Sequence, residues 1–164
     1  MVSNIFGGNA ESSQYIVIVG CGRLGSLLAG RLSAQGHSIV VIDQQEATFG
    51  NLSGEFSGFQ IVGDAAELAT LRKAKVDKAD CLLAVTSEDN INLMVAQIAR
   101  TIFEIPTVLA RVFDPEREAI YQELEIETIS PTQLSADVFL KTLEGQFKEK
   151  SQPKSPQNAK QAAK

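Results

Sequence analysis

Two cysteines, one histidine, no long apolar run and no basic N-terminal stretch exclude several chemistries before any motif is considered. Cys21 and Cys81 stand far apart, outside any C-x-x-C pair and away from the single histidine. Neither metal-ligand nor redox spacing is therefore present, and a reducing, cytoplasmic setting suits both thiols. No segment approaches the roughly 18 apolar residues of a membrane span, which argues against direct insertion and leaves any membrane role to a partner. The opening residues, MVSNIFGGNAESSQ, have no basic start and no apolar core of about 7–15 residues, so residues 1–14 read as a flexible leader rather than an export signal.

What is present is the composition of an ordinary globule, 44% apolar and 21% charged. A chain of this size buries roughly 68–70% of its unfolded surface, so its core needs no covalent staples. Charge is uneven. Residues 149–164, EKSQPKSPQNAKQAAK, hold four Lys and one Glu, a net of +3, and against a chain total of −5 this leaves residues 1–148 at −8. The tail has no bulky apolar residue to offset its ordering entropy and is expected to be disordered. The acidic body argues against nucleic-acid binding, which needs a basic face to displace counterions.

Short β-rich runs at Tyr15–Gly20, Ser38–Asp43, Phe59–Gly63, Cys81–Thr86 and Thr107–Val112 alternate with segments of helical length, and a sixth short strand is expected near Glu127–Ser130. Strands that are apolar on both faces and joined by helices describe a parallel sheet buried twice. The expected fold is α/β, a doubly wound sheet of about six strands with helices on both faces. It spans residues 15–148 and includes a C-terminal helix near 131–148.

The most pointed stretch is YIVIVGCGRLG. Gly20, Gly22 and Gly25 form G-x-G-x-x-G between the first strand and an expected helix Arg23–Gln35, the Rossmann-like arrangement for a dinucleotide pyrophosphate. Gly20 permits the turn, Gly22 leaves room for the phosphate, and Gly25 lets helix and strand pack closely. The helix N-terminus supplies free N–H groups and about half a positive charge, and Arg23 adds a full one. The bland alternative is a tight βα turn with no ligand. Asp43 ends the second strand 18 residues after Gly25, where a carboxylate accepts hydrogen bonds from ribose hydroxyls. From Leu32 through Leu71 there is no Lys or Arg, so a 2′-phosphate would meet Asp43 without compensation. NADP is thereby disfavoured.

Asp64, after the third strand, serves as a cap for a helix beginning near Ala66, as a contact at the adenosine end, or as both. Ser87 is the expected N-cap of a helix over Glu88–Phe103, with Thr86 or Ser87 also within reach of phosphate or ribose. Ile91, Met94, Val95, Ile98 and Ile102 form one apolar stripe on that helix, read as core first and as a subunit interface second. Glu116, Glu118, Glu123, Glu125 and Glu127 read as a solvated acidic face. Ala136, Leu140, Leu143 and Phe147 form a stripe that either folds back on its own sheet, the default, or packs on a second subunit.

Several motifs in register carry a family resemblance: IVIVGCGRLG, VVID, the block IVGDAAELATLRKAKVDKADCLLAVTSEDNINLMVAQIAR with its G-D-A, K-A-D and T-x-x-D-x-x-N, and VLARVFDPE. From Tyr15 to about Gln133 the chain resembles the regulators of potassium conductance, the TrkA-N or KTN domain of Trk/Ktr-type bacterial potassium uptake systems. The resemblance implies a regulatory domain, not an enzyme, that binds NAD or NADH, or ATP, ADP or AMP. It also implies a membrane-embedded potassium channel or transporter as partner, a homodimer or higher ring, and a cytoplasmic location held at the membrane through that partner. Carried over by position, Gly20, Cys21, Gly22, Leu24 and Gly25 hold the phosphates with Arg23. Asp43 and Gln44 take the ribose, and Asp64 and Ala65 lie near the adenosine. Thr86, Ser87 and Arg111 stand at the far side, Arg111 being open between that role and a salt bridge to Asp114. Many members continue into a second ligand-binding domain, whereas here only Pro131–Lys148 and the tail follow.

Two enzymatic alternatives share the glycine turn. A small NAD-dependent oxidoreductase needs a substrate domain and a proton donor. No Tyr-x-x-x-Lys pair is present, and His37 falls in the Gly36–Ser38 turn, away from the strand ends that carry chemistry. An S-adenosylmethionine-dependent methyltransferase suits an uncompensated Asp43 but gives Arg23 and the third glycine no role.

Overall fold

The computed structural model describes residues 12–114, 118–124 and 126–151. Most of the leader, the tail from 152 onward, Glu116 and Glu125 lie outside the described residues. The aliphatic runs become six strands: β1 Tyr15–Val19, β2 Ser38–Asp43, β3 Phe59–Val62, β4 Cys81–Ala84, β5 Thr107–Arg111 and β6 Glu127–Ile129. They form one sheet in the order β3-β2-β1-β4-β5-β6, with every neighbouring pair parallel. The helices are α1 Arg23–Ala34, α2 Leu68–Lys73, α3 Asp89–Thr101, α4 Glu118–Glu123 and α5 Pro131–Ser151, with 3-10 turns at Glu46–Asn51 and Val76–Lys78.

Alternation along the strands explains the two layers. Ile16, Ile18, Ile39, Val41 and Leu83 pack against Ala29 of α1 and Phe49 of the first 3-10 turn. Val17, Val19, Val40, Ile42 and Leu82 face Leu71 of α2, Val95 and Ala99 of α3, and Tyr121 of α4. Fully burying one such aliphatic side chain contributes about 1.5–3 kcal/mol, so this double layer is the main source of stability. The expected doubly wound fold with helices on both faces is therefore present.

At the amino ends of the strands, the K-A-D motif has a structural task. The Tyr15 N–H donates to Asp80 Oδ2 at 2.8 Å, and the Asp80 N–H donates back to the Tyr15 carbonyl at 2.9 Å. This pair starts β1 and β4 in register. His37 lies at the same end, its Nδ1 accepting the Gln14 N–H at 3.2 Å. At the opposite, carboxyl end, strand order reverses between β1 and β4, the place where doubly wound sheets open a crevice.

The apolar stripe of α3 is core in part: Val95 is fully buried and Ile91 and Ile98 pack partly buried against the core beside the buried Asn92, Ala96 and Ala99, whereas Met94 is only partly covered and Ile102 is exposed. Small alanines let this helix lie close to the sheet, so its contact face is rotated from the bulkier stripe. Helix α5, described by itself, starts with a proline at its first position, where the missing N–H costs nothing. Among the described residues no helix is long and apolar enough to cross a membrane.

Candidate functional site

The turn after β1 separates the tasks of its three glycines. Gly20 has φ +103°, a conformation that side chains disfavour, and a Cβ there would stand 2.9 Å from the Thr86 backbone nitrogen. A Cβ on Gly25 would lie 1.9 Å from the Gly20 carbonyl oxygen, so glycine is demanded by packing. Gly22 is different. Its φ of −72° is open to any residue, and a Cβ would meet nothing within 4 Å. Nothing in the fold requires glycine at this position.

The open space beside Gly22 faces the start of α1. The Ser26 N–H closes the first helical bond to the Gly22 carbonyl at 2.9 Å, and among the described residues no side chain caps the N–H groups ahead of it. The first turn has no acidic residue. The helix end therefore presents its partial positive charge and unpaired donors to an anion.

Asp43 holds the turn from behind. Its Oδ2 accepts the Cys21 N–H at 2.7 Å and its Oδ1 accepts the Gln45 N–H at 2.9 Å. Asn51 Nδ2 donates to the Cys21 carbonyl at 3.1 Å, so the Cys21 peptide is fixed on both sides. The Cys21 side chain is fully buried in the core. Burial first, then the Asp43 charge, push its thiol up to about 11, against a lowering hydrogen bond from Thr48. Cys21 thus serves through its backbone and offers no reactive sulfur to a ligand.

Together these parts line a cleft of about 500 Å³, within the size range of small-molecule sites. Gly20, Gly22, Arg23 and Leu24 form its centre. Asp43, Gln44, Asp64 and Ala65 form one side; Thr86, Ser87 and Arg111 form the other. Cys21 and Gly25, expected among the ligand contacts, do not line it: the first is packed behind the turn and the second under it. Phe113, Ile91, Gln45, Thr48 and Glu88 also line the cleft.

Two capping expectations are corrected. Asp64 Oδ1 accepts the Ala66 N–H at 2.8 Å, but α2 begins at Leu68 with Glu67 in the cap position and no side-chain cap bond. Asp64 therefore closes a local Asx turn ahead of the helix. Ser87 is not the cap of α3, which begins at Asp89 after Glu88. The Glu88 N–H donates to Thr86 Oγ1 at 3.2 Å, a turn that moves the helix start onward.

The far side rests on a residue that the sequence reading passed over. Asn92 is fully buried, and its Oδ1 accepts from the Thr86 N–H at 2.9 Å and the Thr86 hydroxyl at 2.7 Å. Its Nδ2 donates to the Thr86 carbonyl at 3.1 Å and the Arg111 carbonyl at 3.0 Å. With its hydroxyl hydrogen directed at Asn92, Thr86 shapes the cleft without adding a donor. The signal was in the sequence: Asn92 closes the T-x-x-D-x-x-N block and sits one helical turn before Val95 and Ala96.

Arg111 is the main donor on this side. Its guanidinium carbon lies 3.8 Å from the centroid of the Phe113 ring, a favourable cation–π seat. Burial lowers its pKa; Asp89 opposes that shift and Arg23 adds to it. Among the described residues its buried Nε has no hydrogen-bond partner. Two guanidinium groups and a helix N-terminus around one open space fit a ligand with more than one anionic group.

A parallel sheet of order 3-2-1-4-5-6, with a glycine turn and helix N-terminus at its switch point, defines a Rossmann-type nucleotide-binding fold. Within that class, the chain belongs to the TrkA-N domain family, which matches residues 16–131. This agrees with the resemblance drawn from the motifs. The Trk system potassium uptake protein TrkA of Streptomyces coelicolor is 41% identical over 129 residues, covering 79% of this chain and 58% of that protein. The chain thus spans less than two thirds of that relative's length. The crystal structure of the GsuK RCK domain superposes with a TM-score of 0.71 at 25% identity, over 85% of this chain and 30% of that one. The GsuK channel bound to NAD shares the fold at a TM-score of 0.61 and 18% identity, over 73% of this chain and 22% of that one.

Proposed function

We propose that this chain is a regulatory, non-catalytic subunit. It binds an adenine nucleotide, NAD or NADH, ATP, ADP or AMP, and passes its occupancy to a membrane-embedded potassium channel or transporter. It works in the cytoplasm as a homodimer or higher ring, held at the membrane through that partner. The observation that carries the binding reading is Gly22, a glycine with ordinary backbone angles and open space where its Cβ would stand, placed at an uncapped helix N-terminus. Support for the regulatory reading comes from the TrkA-N family and the named potassium uptake relative.

In this reading the pyrophosphate sits on the N–H groups of Gly22 to Leu24, with Arg23 beside it. Asp43 spends one lone pair of each carboxylate oxygen on the turn, and the remaining lone pairs take the ribose hydroxyls. A 2′-phosphate would face that carboxylate with no Lys or Arg from residue 32 to 71, so NADP is disfavoured. Asp64 and Ala65 border the adenosine, while Ser87 and Arg111 meet the distal part. Regulation then requires only that two nucleotides differ in affinity for two arrangements of the subunit.

The test is calorimetric titration of the purified chain with NAD, NADH, ATP, ADP, AMP and S-adenosylmethionine, repeated on Gly22→Ala. Binding of an adenine nucleotide that the substitution weakens at least about tenfold supports the site, and the ranking of ligands names the signal. Preference for S-adenosylmethionine moves the reading to a methyltransferase. If every nucleotide leaves subunit arrangement and potassium flux through the reconstituted transporter unchanged, the regulatory half is overturned.

A further inference from the structure

The far wall of the cleft is fixed by two side chains that do not line it. Asn92 uses all four of its hydrogen-bonding positions, two accepting and two donating, to tie the end of β4 at Thr86 to the end of β5 at Arg111. Asp89, one turn earlier on α3, accepts the Phe113 N–H at 2.8 Å and the Asp114 N–H at 3.2 Å. Its own carbonyl accepts the hydroxyl of the buried Tyr121 at 2.7 Å, anchoring this turn of α3 to α4. Asn92 therefore sets the Arg111 backbone, and Asp89 sets the backbone of the ring on which the Arg111 guanidinium rests. The guanidinium is seated by stacking, and its buried Nε is left without a hydrogen-bond partner among the described residues.

We propose that Asp89 and Asn92 are positioning residues for a second anionic group, holding Arg111 on Phe113 so that the cleft favours diphosphate-linked nucleotides over nucleoside monophosphates. The proposal rests on the nucleotide reading above and adds the residues that set its selectivity. A monophosphate placed with its ribose at Asp43 has one phosphate, which the α1 terminus and Arg23 satisfy. Only a longer ligand brings a second charge to Arg111, so errors in seating Arg111 are felt by that ligand alone. Asp89 and Asn92 touch neither.

The experiment titrates the full chain with NAD and with AMP by calorimetry, comparing the unsubstituted protein with Asn92→Ala, Asp89→Asn, Arg111→Gln and the two pairs that combine each positioning variant with Arg111→Gln. The expected result is NAD binding tighter than AMP, with Asn92→Ala weakening NAD about tenfold and AMP by less than about twofold. Asp89→Asn keeps the side-chain shape and one accepting oxygen, and weakens NAD by about threefold. Each pair loses no more than Arg111→Gln alone, because both positioning residues act through that guanidinium. If Asn92→Ala fails to fold, Asp89→Asn and its pair with Arg111→Gln carry the same comparison. Equal losses for both ligands, losses that add in the pairs, or AMP binding as tightly as NAD to the unsubstituted chain each overturn the proposal while leaving the nucleotide site standing. An unsubstituted chain that binds neither ligand overturns the nucleotide reading, and this proposal with it.

Discussion

On the β2–β3 side of the cleft, Asp43 and Asp64 are half-buried and accept hydrogen bonds from backbone N–H groups of neighbouring turns. On the β4–β5 side the central polar group, Asn92, is fully buried and joins two strand ends through four bonds. On the first side two of the three bonds are local turns two residues long, and only the Asp43 bond to the Cys21 N–H joins separate strand ends. The second is a closed network in which a lost partner strands buried donors and acceptors. Both border the same ligand space, yet they should fail in different ways.

The largest loss is expected where neither side is involved and the turn itself must be close-packed. Gly25→Val drives a branched side chain into the Gly20 carbonyl, and its cost of more than about 3 kcal/mol removes much of a marginal stability. Loss of a cooperative melt, or a large drop in denaturation midpoint, is the outcome to look for. Asn92→Ala comes next, at about 3 kcal/mol, because the Thr86 N–H and carbonyl and the Arg111 carbonyl lose their partner in a buried setting. Asp43→Ala frees the exposed Gln45 N–H and the part-buried Cys21 N–H and is expected to cost about 1–2 kcal/mol. If chemical denaturation ranks Asp43→Ala above Asn92→Ala, the contrast between the two sides is wrong. Tyr121→Phe removes one hydroxyl from the Asp89 carbonyl and is expected to cost about 1 kcal/mol, with the ring still buried.

The same contrast separates what the sequence makes legible from what only packing decides. Strands β1 to β5 announce themselves because each is a run of β-branched or aliphatic residues between turns, and the glycine spacing fixes the turn chemistry. Asp43 was legible as the acid after β2, but not its second task, because its grip on the Cys21 N–H depends on the distance between two strand ends. Ser87 looked like a cap because serine before an apolar helix usually is one. Here Thr86 closes a turn with the Glu88 N–H instead, and the helix starts later. Asn92 was hidden for a similar reason: an asparagine in the first turn of a helix reads as solvated until the packing face is known, and the face chosen by Val95, Ala96 and Ala99 is not the bulkiest one available.

Gly22→Ala should have the smallest effect on stability and the most informative effect on binding. The backbone angles suit alanine, and no atom lies within 4 Å of the new methyl group. Removing glycine also restricts the unfolded chain, so the variant should match the parent within about 0.5 kcal/mol or exceed it slightly. A phosphate that must approach the Gly22 backbone meets that methyl directly, and affinity for the nucleotide should fall at least about tenfold, the equivalent of about 1.4 kcal/mol. Asp43→Ala cannot separate these effects, because it disturbs the turn as well as any ribose contact. A Gly22→Ala protein that melts like the parent and binds like the parent would mean that no ligand comes close to this turn. The open space would then be an accident of the fold.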